Sequence, residues 1–214
     1  MTINPSQDLA RLSVSDFLTA LAAKTSTPGG GSVAALTGSL AAAQLRMTLS
    51  YTLGKKKFAD VEADLQAAAQ YVDGLTAEFL SLTEQDRAAY ETLCRFLKMA
   101  PEQQAADKDF LPAALAAVEV PMQCAKAALR LIVQAAAIVE KINPLLISDL
   151  GVAVELAQSV TACCELNVHI NLPVLPDKRT AADLAQEIYA IRRQAMELAE
   201  QINRQLRTIM PQVS

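Results

Sequence analysis

The stretch FADVEADLQAAAQYVDGLTAEFLSLTEQDRAAYETLCRF, residues 58–96, decides the fold. Counted by sevens, Phe58, Leu65, Val72, Phe79, Asp86 and Leu93 share one position, and Val61, Ala68, Leu75, Leu82, Ala89 and Phe96 share the position three residues on. Apolar residues at alternating steps of three and four line one side of an α-helix, whereas a strand needs a step of two. The seam runs over six heptads with Asp86 as its one polar member. It predicts a helix over Lys57 to Met99, roughly 60 Å long at about 1.5 Å per residue. Gly74 lies off the seam and allows a local bend at ~1 kcal/mol.

Outward from this segment the helical period continues in both directions. Ser13 and Asp16, at capping-box spacing, predict a short helix over Ser15 to Lys24. After the loop Thr25 to Gly31, a second helix over Ser32 to Leu53 ends at Gly54, and Ala34, Ala35, Gly38, Ala41, Ala42 and Leu45 give it a face that another helix can approach closely. Pro101 opens a polar stretch. A helix over Phe110 to Ile142 takes Pro112 in its first turn and should kink at Pro121. Ser148 or Asp149 caps the next, which runs to Asn171 and exits through Pro173 and Pro176. Thr180 and Asp183 open the last, Thr180 to Ile209, with a seam of Leu184, Ile188, Ile191, Ala195, Leu198, Ile202 and Ile209. The expected architecture is all-α: an up-and-down bundle of about six helices, one domain over residues 1–214, without repeat or linker. Two long apolar seams and a small-residue helix point to a homodimer.

Composition removes several function classes. Of 214 residues, 52% are hydrophobic, which excludes disorder, and only 4% are aromatic, which argues against a β-sandwich. Net charge is −4, so a basic nucleic-acid surface is not expected. One histidine, His169, excludes His-rich metal sites, and no metal or cofactor is expected. Cys94, Cys124, Cys163 and Cys164 form no CxxC pair and read as reduced core residues. Met1 to Val14 lacks the pattern of a signal peptide. The longest uncharged run, Thr25 to Leu45, is too polar to span a membrane. A cytoplasmic protein without membrane or nucleic-acid partners is expected.

Four constellations could carry chemistry. Thr27-Pro28-Gly29-Gly30-Gly31-Ser32 precedes a helix and offers backbone N–H groups to an anion, or forms a tight turn. Gly54-Lys55-Lys56-Lys57 supplies helix-end dipole partners or a landing site for a polyanion. Asp86 either fixes helix register or serves as a general acid/base in a cleft, because a seam carboxylate needs a partner or a raised pKa. Asn143 with Ser148 and Asp149 sits at a helix junction, and Asn167 and Asn171 share a helical face with Cys163 and Cys164. Such amides read the edges of a heterocycle or cap a helix end. His169 lies off that face and reads as a surface contact.

The glycine run through Leu36, followed by Gly54-Lys55-Lys56-Lys57-Phe58, resembles the formiminotetrahydrofolate cyclodeaminase family, which includes stand-alone methenyltetrahydrofolate cyclohydrolases. Ser148-Asp149-Leu150-Gly151-Val152-Ala153, Asn167-Val168-His169-Ile170-Asn171-Leu172 and Val120-Pro121 are similar to its later motifs. The resemblance extends in order from about Val14 to Asp177. It implies an all-α homodimer without metal, and a catalytic aspartate in the long helix at Asp86. The segment Thr83-Glu84-Gln85-Asp86-Arg87 departs from the family's usual Asp-x-Asp by carrying Glu84 in the first place. By the resemblance, the glycine loop (Pro28, Gly29, Gly30, Gly31, Ser32) and the lysines would hold the tail of a folate, polyglutamylated or not. Asn143, Asn167 and Asn171 would contact the pterin, and Ser148 and Asp149 would also bind the substrate. The implied reaction is cyclodeaminase chemistry, from 5-formimino- to 5,10-methenyltetrahydrofolate with release of ammonia. The alternatives are cyclohydrolase chemistry, from methenyl- to 10-formyltetrahydrofolate, and a non-catalytic folate-binding or dimerisation module.

Overall fold

A computed structural model describes residues 8–210; residues 1–7, part of the N-terminal stretch read above, and 211–214 lie outside it. The described residues form seven α-helices joined by short turns, with no strand: α1 (Val14–Leu21), α2 (Gly30–Ser50), α3 (Glu62–Leu97), α4 (Pro101–Ala106), α5 (Phe110–Ile138), α6 (Ile147–Asn171) and α7 (Lys178–Ile209). The extra helix relative to the expected six is α4. Its polar sequence conceals it, and Pro101 starts it by occupying a first-turn position where no N–H is needed.

The heptad seam of α3 is buried as expected. Leu65, Val72, Phe79 and Leu93 are fully inside, with Leu75 and Leu82 beside them. The first heptad differs: Phe58 and Val61 lie in a 3₁₀ segment, Lys56–Val61, and are only half-buried. Gly54, at φ +74°, takes the left-handed turn that ends the α2 connection, and its N–H meets the Glu62 carboxylate at the start of α3. α3 continues without interruption through Gly74, and α5 through Pro121.

α2 packs between α3 and α6, while α5 packs on α3, α6 and α7 around one continuous core. Close approach depends on small residues. A Cβ on Gly38 would lie 2.4 Å from the Phe79 ring, so that ring rests on bare α2 backbone. Gly151 receives Leu206 of α7 in the same way, at 2.9 Å.

Capping differs from expectation in two places. The α7 cap is Asp177, whose carboxylate accepts from the N–H groups of Arg179 and Thr180 and from the Thr180 hydroxyl, so the helix starts at Lys178 rather than Thr180. Ser148 and Asp149 do not cap α6 but lie in its first turn, after a 3₁₀ turn capped by Asn143. The cysteines are all free, but Cys163 is exposed and Cys94 half-buried, so only Cys124 and Cys164 are core residues.

Candidate functional site

The glycine run sits where α2 begins. Gly29 is the N-cap, and Gly30 and Gly31 form the first helical turn instead of extending the loop. The loop before them contains a cis Thr27–Pro28 peptide and is tied to α3 by the Thr27 hydroxyl, which donates to Glu91 Oε1 at 2.8 Å.

The glycines are required by side chains arriving from other helices. A Cβ on Gly31 would lie 1.9 Å from Asp86 Oδ1, and one on Gly30 would lie 3.1 Å from Asn167 Oδ1. Gly29 is open, with its nearest neighbour at 3.9 Å. Thus α3 and α6 press polar side chains onto the bare first turn of α2.

Asp86 is the centre of the arrangement. Its Oδ2 accepts from the Ser32 hydroxyl at 2.8 Å, and the Ser32 backbone N–H also bonds it. Burial raises its carboxyl above the ordinary aspartate value, and the two Ser32 bonds pull the other way without cancelling the rise. The heptad seam left Asp86 either as a buried register device or as an acid/base in a cleft between helices. Asp86 is half-buried, because the seam opens at this level into a cavity of about 210 Å³.

That cavity is lined by Asp86 with Gly29, Gly30, Gly31, Tyr90, Asn167 and Asn171, and by Ser26, Thr27, Ala117 and Ile170. Asn167 donates to Cys163 O, and Asn171 donates across to Ala117 O on α5, each at 2.8 Å. Both amides are thereby oriented, with their Oδ1 atoms left outside these bonds. Tyr90 lies one helical turn beyond Asp86, and the neighbouring Cys94, with partial burial, raises its hydroxyl pKa, so it stands protonated as a donor. Sequence reasoning missed Tyr90, although its i+4 relation to Asp86 puts it on the same side of α3. Ser26, Ala117 and Ile170 carried no comparable signal. Pro28 is buried behind the cavity and Ser32 acts through Asp86.

The remaining expected site residues gather elsewhere. Lys55, Lys56 and Lys57 follow the far end of α2, about 28 Å along the helix from Gly31. Asn143 donates its N–H to Thr52 Oγ1, and Asp149 accepts from Gln44 Nε2 at 2.8 Å. Ser148 is exposed beside them. Within one chain the structure therefore makes two poles on the α2/α6 pair: glycines, Asp86 and the two later asparagines at one end, lysines, Asn143, Ser148 and Asp149 at the other. Within one chain the lysines and the glycine loop do not share a patch, because a helix of 21 residues separates them. No Lys or Arg lines the cavity.

A carboxylate of raised pKa on the floor of a polar cavity, amid oriented amides and backbone, is the equipment of a small-molecule acid–base enzyme on a helical bundle. The chain belongs to the formiminotransferase-cyclodeaminase family, whose model matches residues 13–190. It is 33% identical over 88% of its length to methenyltetrahydrofolate cyclohydrolase of Methylorubrum extorquens, of which it covers 93%. It is 28% identical to formimidoyltransferase-cyclodeaminase of Sus scrofa over 89% of this chain, but spans only 36% of that longer relative. The crystal structure of formiminotetrahydrofolate cyclodeaminase from Thermotoga maritima superposes with a TM-score of 0.86 at 25% identity, covering 93% of this chain and 98% of that one.

Proposed function

We propose that this chain is a methenyltetrahydrofolate cyclohydrolase in which Asp86 moves the proton. The observation that carries the reading is the Asp86 carboxylate, held by Ser32 against Gly31 on the cavity floor with its pKa raised. The likeness to the Methylorubrum extorquens cyclohydrolase over nearly the whole of both chains favours this reaction.

In this reading water attacks the methenyl carbon and forms the new C–O bond, while Asp86 takes its proton. The C–N5 bond then breaks as the protonated Asp86 carboxyl returns that proton to N5. The remaining O–H proton of the adduct passes to solvent as the formyl C=O forms, and 10-formyltetrahydrofolate is left. The methenyl carbon is already electrophilic, so proton transfer and orientation are what the protein adds. A base whose carboxyl is raised above the ordinary aspartate range by burial is a better proton acceptor than an exposed one. Asn167, Asn171 and Tyr90 would contact the pterin.

The structural likeness to the Thermotoga maritima cyclodeaminase supports a second reading. There N10 attacks the carbon of the protonated formimino group of 5-formiminotetrahydrofolate, and Asp86 relays the N10 proton to the NH2 that departs as ammonia, giving the 5,10-methenyl cation. In both readings the chain acts as a homodimer on a folate.

The methenyl chromophore's absorbance separates them. Its enzyme-dependent disappearance from the methenyl compound supports cyclohydrolase chemistry. Its appearance from the formimino compound, with ammonia, supports the second reading. No change with either substrate refutes both.

A further inference from the structure

We propose that Pro121 is a positioning residue of the cavity: by withholding an N–H from α5 it frees the Ala117 carbonyl, which holds the Asn171 amide and leaves that amide's oxygen as the acceptor for a ligand. A helical carbonyl ordinarily accepts from the N–H four residues on. Four residues on from Ala117 stands Pro121, which has no N–H and whose ring crowds that same carbonyl. Ala117 is only 4% exposed, and a buried carbonyl without a partner is destabilising. The partner arrives from another helix: Asn171, in the last turn of α6, donates from Nδ2 to Ala117 O at 2.8 Å. Any other residue at position 121 would bring an N–H to compete for this oxygen from within α5. The chain instead carries the poorest helix former inside a helix of 29 residues.

A carbonyl oxygen can only accept, so it selects the NH2 end of the amide and excludes the flipped orientation. Ala117 and Asn171 both line the cavity, which makes this tether part of its wall. Asn167 is fixed in the same sense through Cys163 O, and its Oδ1 lies beside the bare α carbon of Gly30. Together with the Asp86 carboxylate, the two amide oxygens give the cavity an acceptor-rich side. Such a side favours a ligand edge made of N–H donors and leaves an edge of carbonyl or ring-nitrogen acceptors unpaired. That the edge belongs to a pterin rests on the folate reading; the tether between α5 and α6 does not.

The test supplies the missing N–H in two ways. Pro121→Ala adds it and leaves the space of the ring empty; Pro121→Val adds it and refills most of that space. Each should raise KM for 5,10-methenyltetrahydrofolate about three- to tenfold with kcat within about twofold, because the amide's orientation bears on ground state and transition state alike. Asn171→Ala should raise KM about tenfold, and adding Pro121→Ala to it should do no further harm, since Pro121 acts through Asn171. Two arms need no activity. Asn171→Ala should lower the urea midpoint in the wild-type background and by much less in the Pro121→Ala background, where α5 itself supplies the carbonyl's partner. In 15N-labelled protein the Asn171 side-chain NH2, assigned by its loss in Asn171→Ala, should exchange with solvent faster once Pro121 is replaced. An unchanged KM in both proline variants, a rise in Pro121→Ala that Pro121→Val does not share, or equal urea losses from Asn171→Ala in the two backgrounds overturns the proposal. A chain that shows the urea and exchange pattern yet converts neither folate refutes the folate reading and keeps the tether.

Discussion

Gly31→Ala would put a methyl carbon 1.9 Å from Asp86 Oδ1 and 2.4 Å from its Cγ. Non-bonded atoms of this kind rest at about 3.5 Å, so the carboxylate must retreat by about 1.5 Å. It is the tip of a short side chain beside an open cavity and can swing away, but only by giving up Ser32. Stability therefore changes little: a charge-assisted hydrogen bond worth about 1.5–3 kcal/mol is exchanged for water, and alanine returns up to about 1 kcal/mol of helix propensity. The expected unfolding free energy stays within ~2 kcal/mol of wild type. Activity should not survive as well, since misplacing a reacting group by about 1 Å can cost ~10²-fold. The methenyl absorbance assay should show kcat down by at least that factor with KM nearly unchanged, while urea unfolding shows a folded protein. Gly29→Ala is the internal control, because its added carbon meets nothing closer than 3.9 Å. Wild-type turnover in Gly31→Ala, or equal damage from Gly29→Ala, would refute the idea that α2 is glycine-initiated to seat Asp86.

Asp86→Asn should lower turnover by about 10²–10⁴ while leaving folate affinity intact in an equilibrium titration; an Asn variant with full turnover would remove Asp86 from the chemistry. As a base Asp86 must be ionised, so the wild-type rate should fall on acidification with a midpoint above the ordinary aspartate value, because burial raises it. Ser32→Ala deletes the hydroxyl bond that lowers that pKa and should move the midpoint to higher pH; a downward move would show that Ser32 plays another part. Gly38→Ala forces a carbon to 2.4 Å from the fully buried Phe79 ring, and should cost about 1–3 kcal/mol in urea unfolding with turnover per folded molecule unchanged.

The fold was legible because burial follows period. Phe79 and Leu93 on α3, and Ile188 and Ala195 on α7, are fully inside where their spacing put them. Element ends were less so, since they depend on single hydrogen bonds: Asp177 captures the α7 terminus from Thr180 because its carboxylate reaches two backbone N–H groups. Asp86 stood out as the polar break in an apolar seam, and the structure puts a cavity at that break. Tyr90 and Ile170 did not stand out, because an aromatic or aliphatic residue at helical spacing reads as core until its neighbours are known. The separation of the lysines from the glycines was implicit in the helix length. Which helix ends meet one ligand is not legible there, because ligand contacts do not follow sequence period.

Asp86 also ties pH to stability with a definite sign. Burial holds its pKa above the unfolded value, so the folded chain binds this proton more tightly than the unfolded chain. The resulting stabilisation is fully present below the unfolded value and is lost as pH rises through the folded one. Above the folded value the ionised carboxylate therefore works against the fold, with Ser32 and the positive end of α2 offsetting part of the cost. Asn keeps the shape and an acceptor for the Ser32 hydroxyl but carries no charge to desolvate. Asp86→Asn should thus be more stable than wild type near pH 7, by an amount that shrinks as pH falls toward the ordinary aspartate range, read from urea midpoints in paired buffers. A stability gain joined to a loss of turnover is what a carboxylate retained for chemistry produces. An Asn variant less stable than wild type near pH 7 would mean that the Ser32 bonds outweigh burial, and that Asp86 holds α2 to α3 as a structural tie.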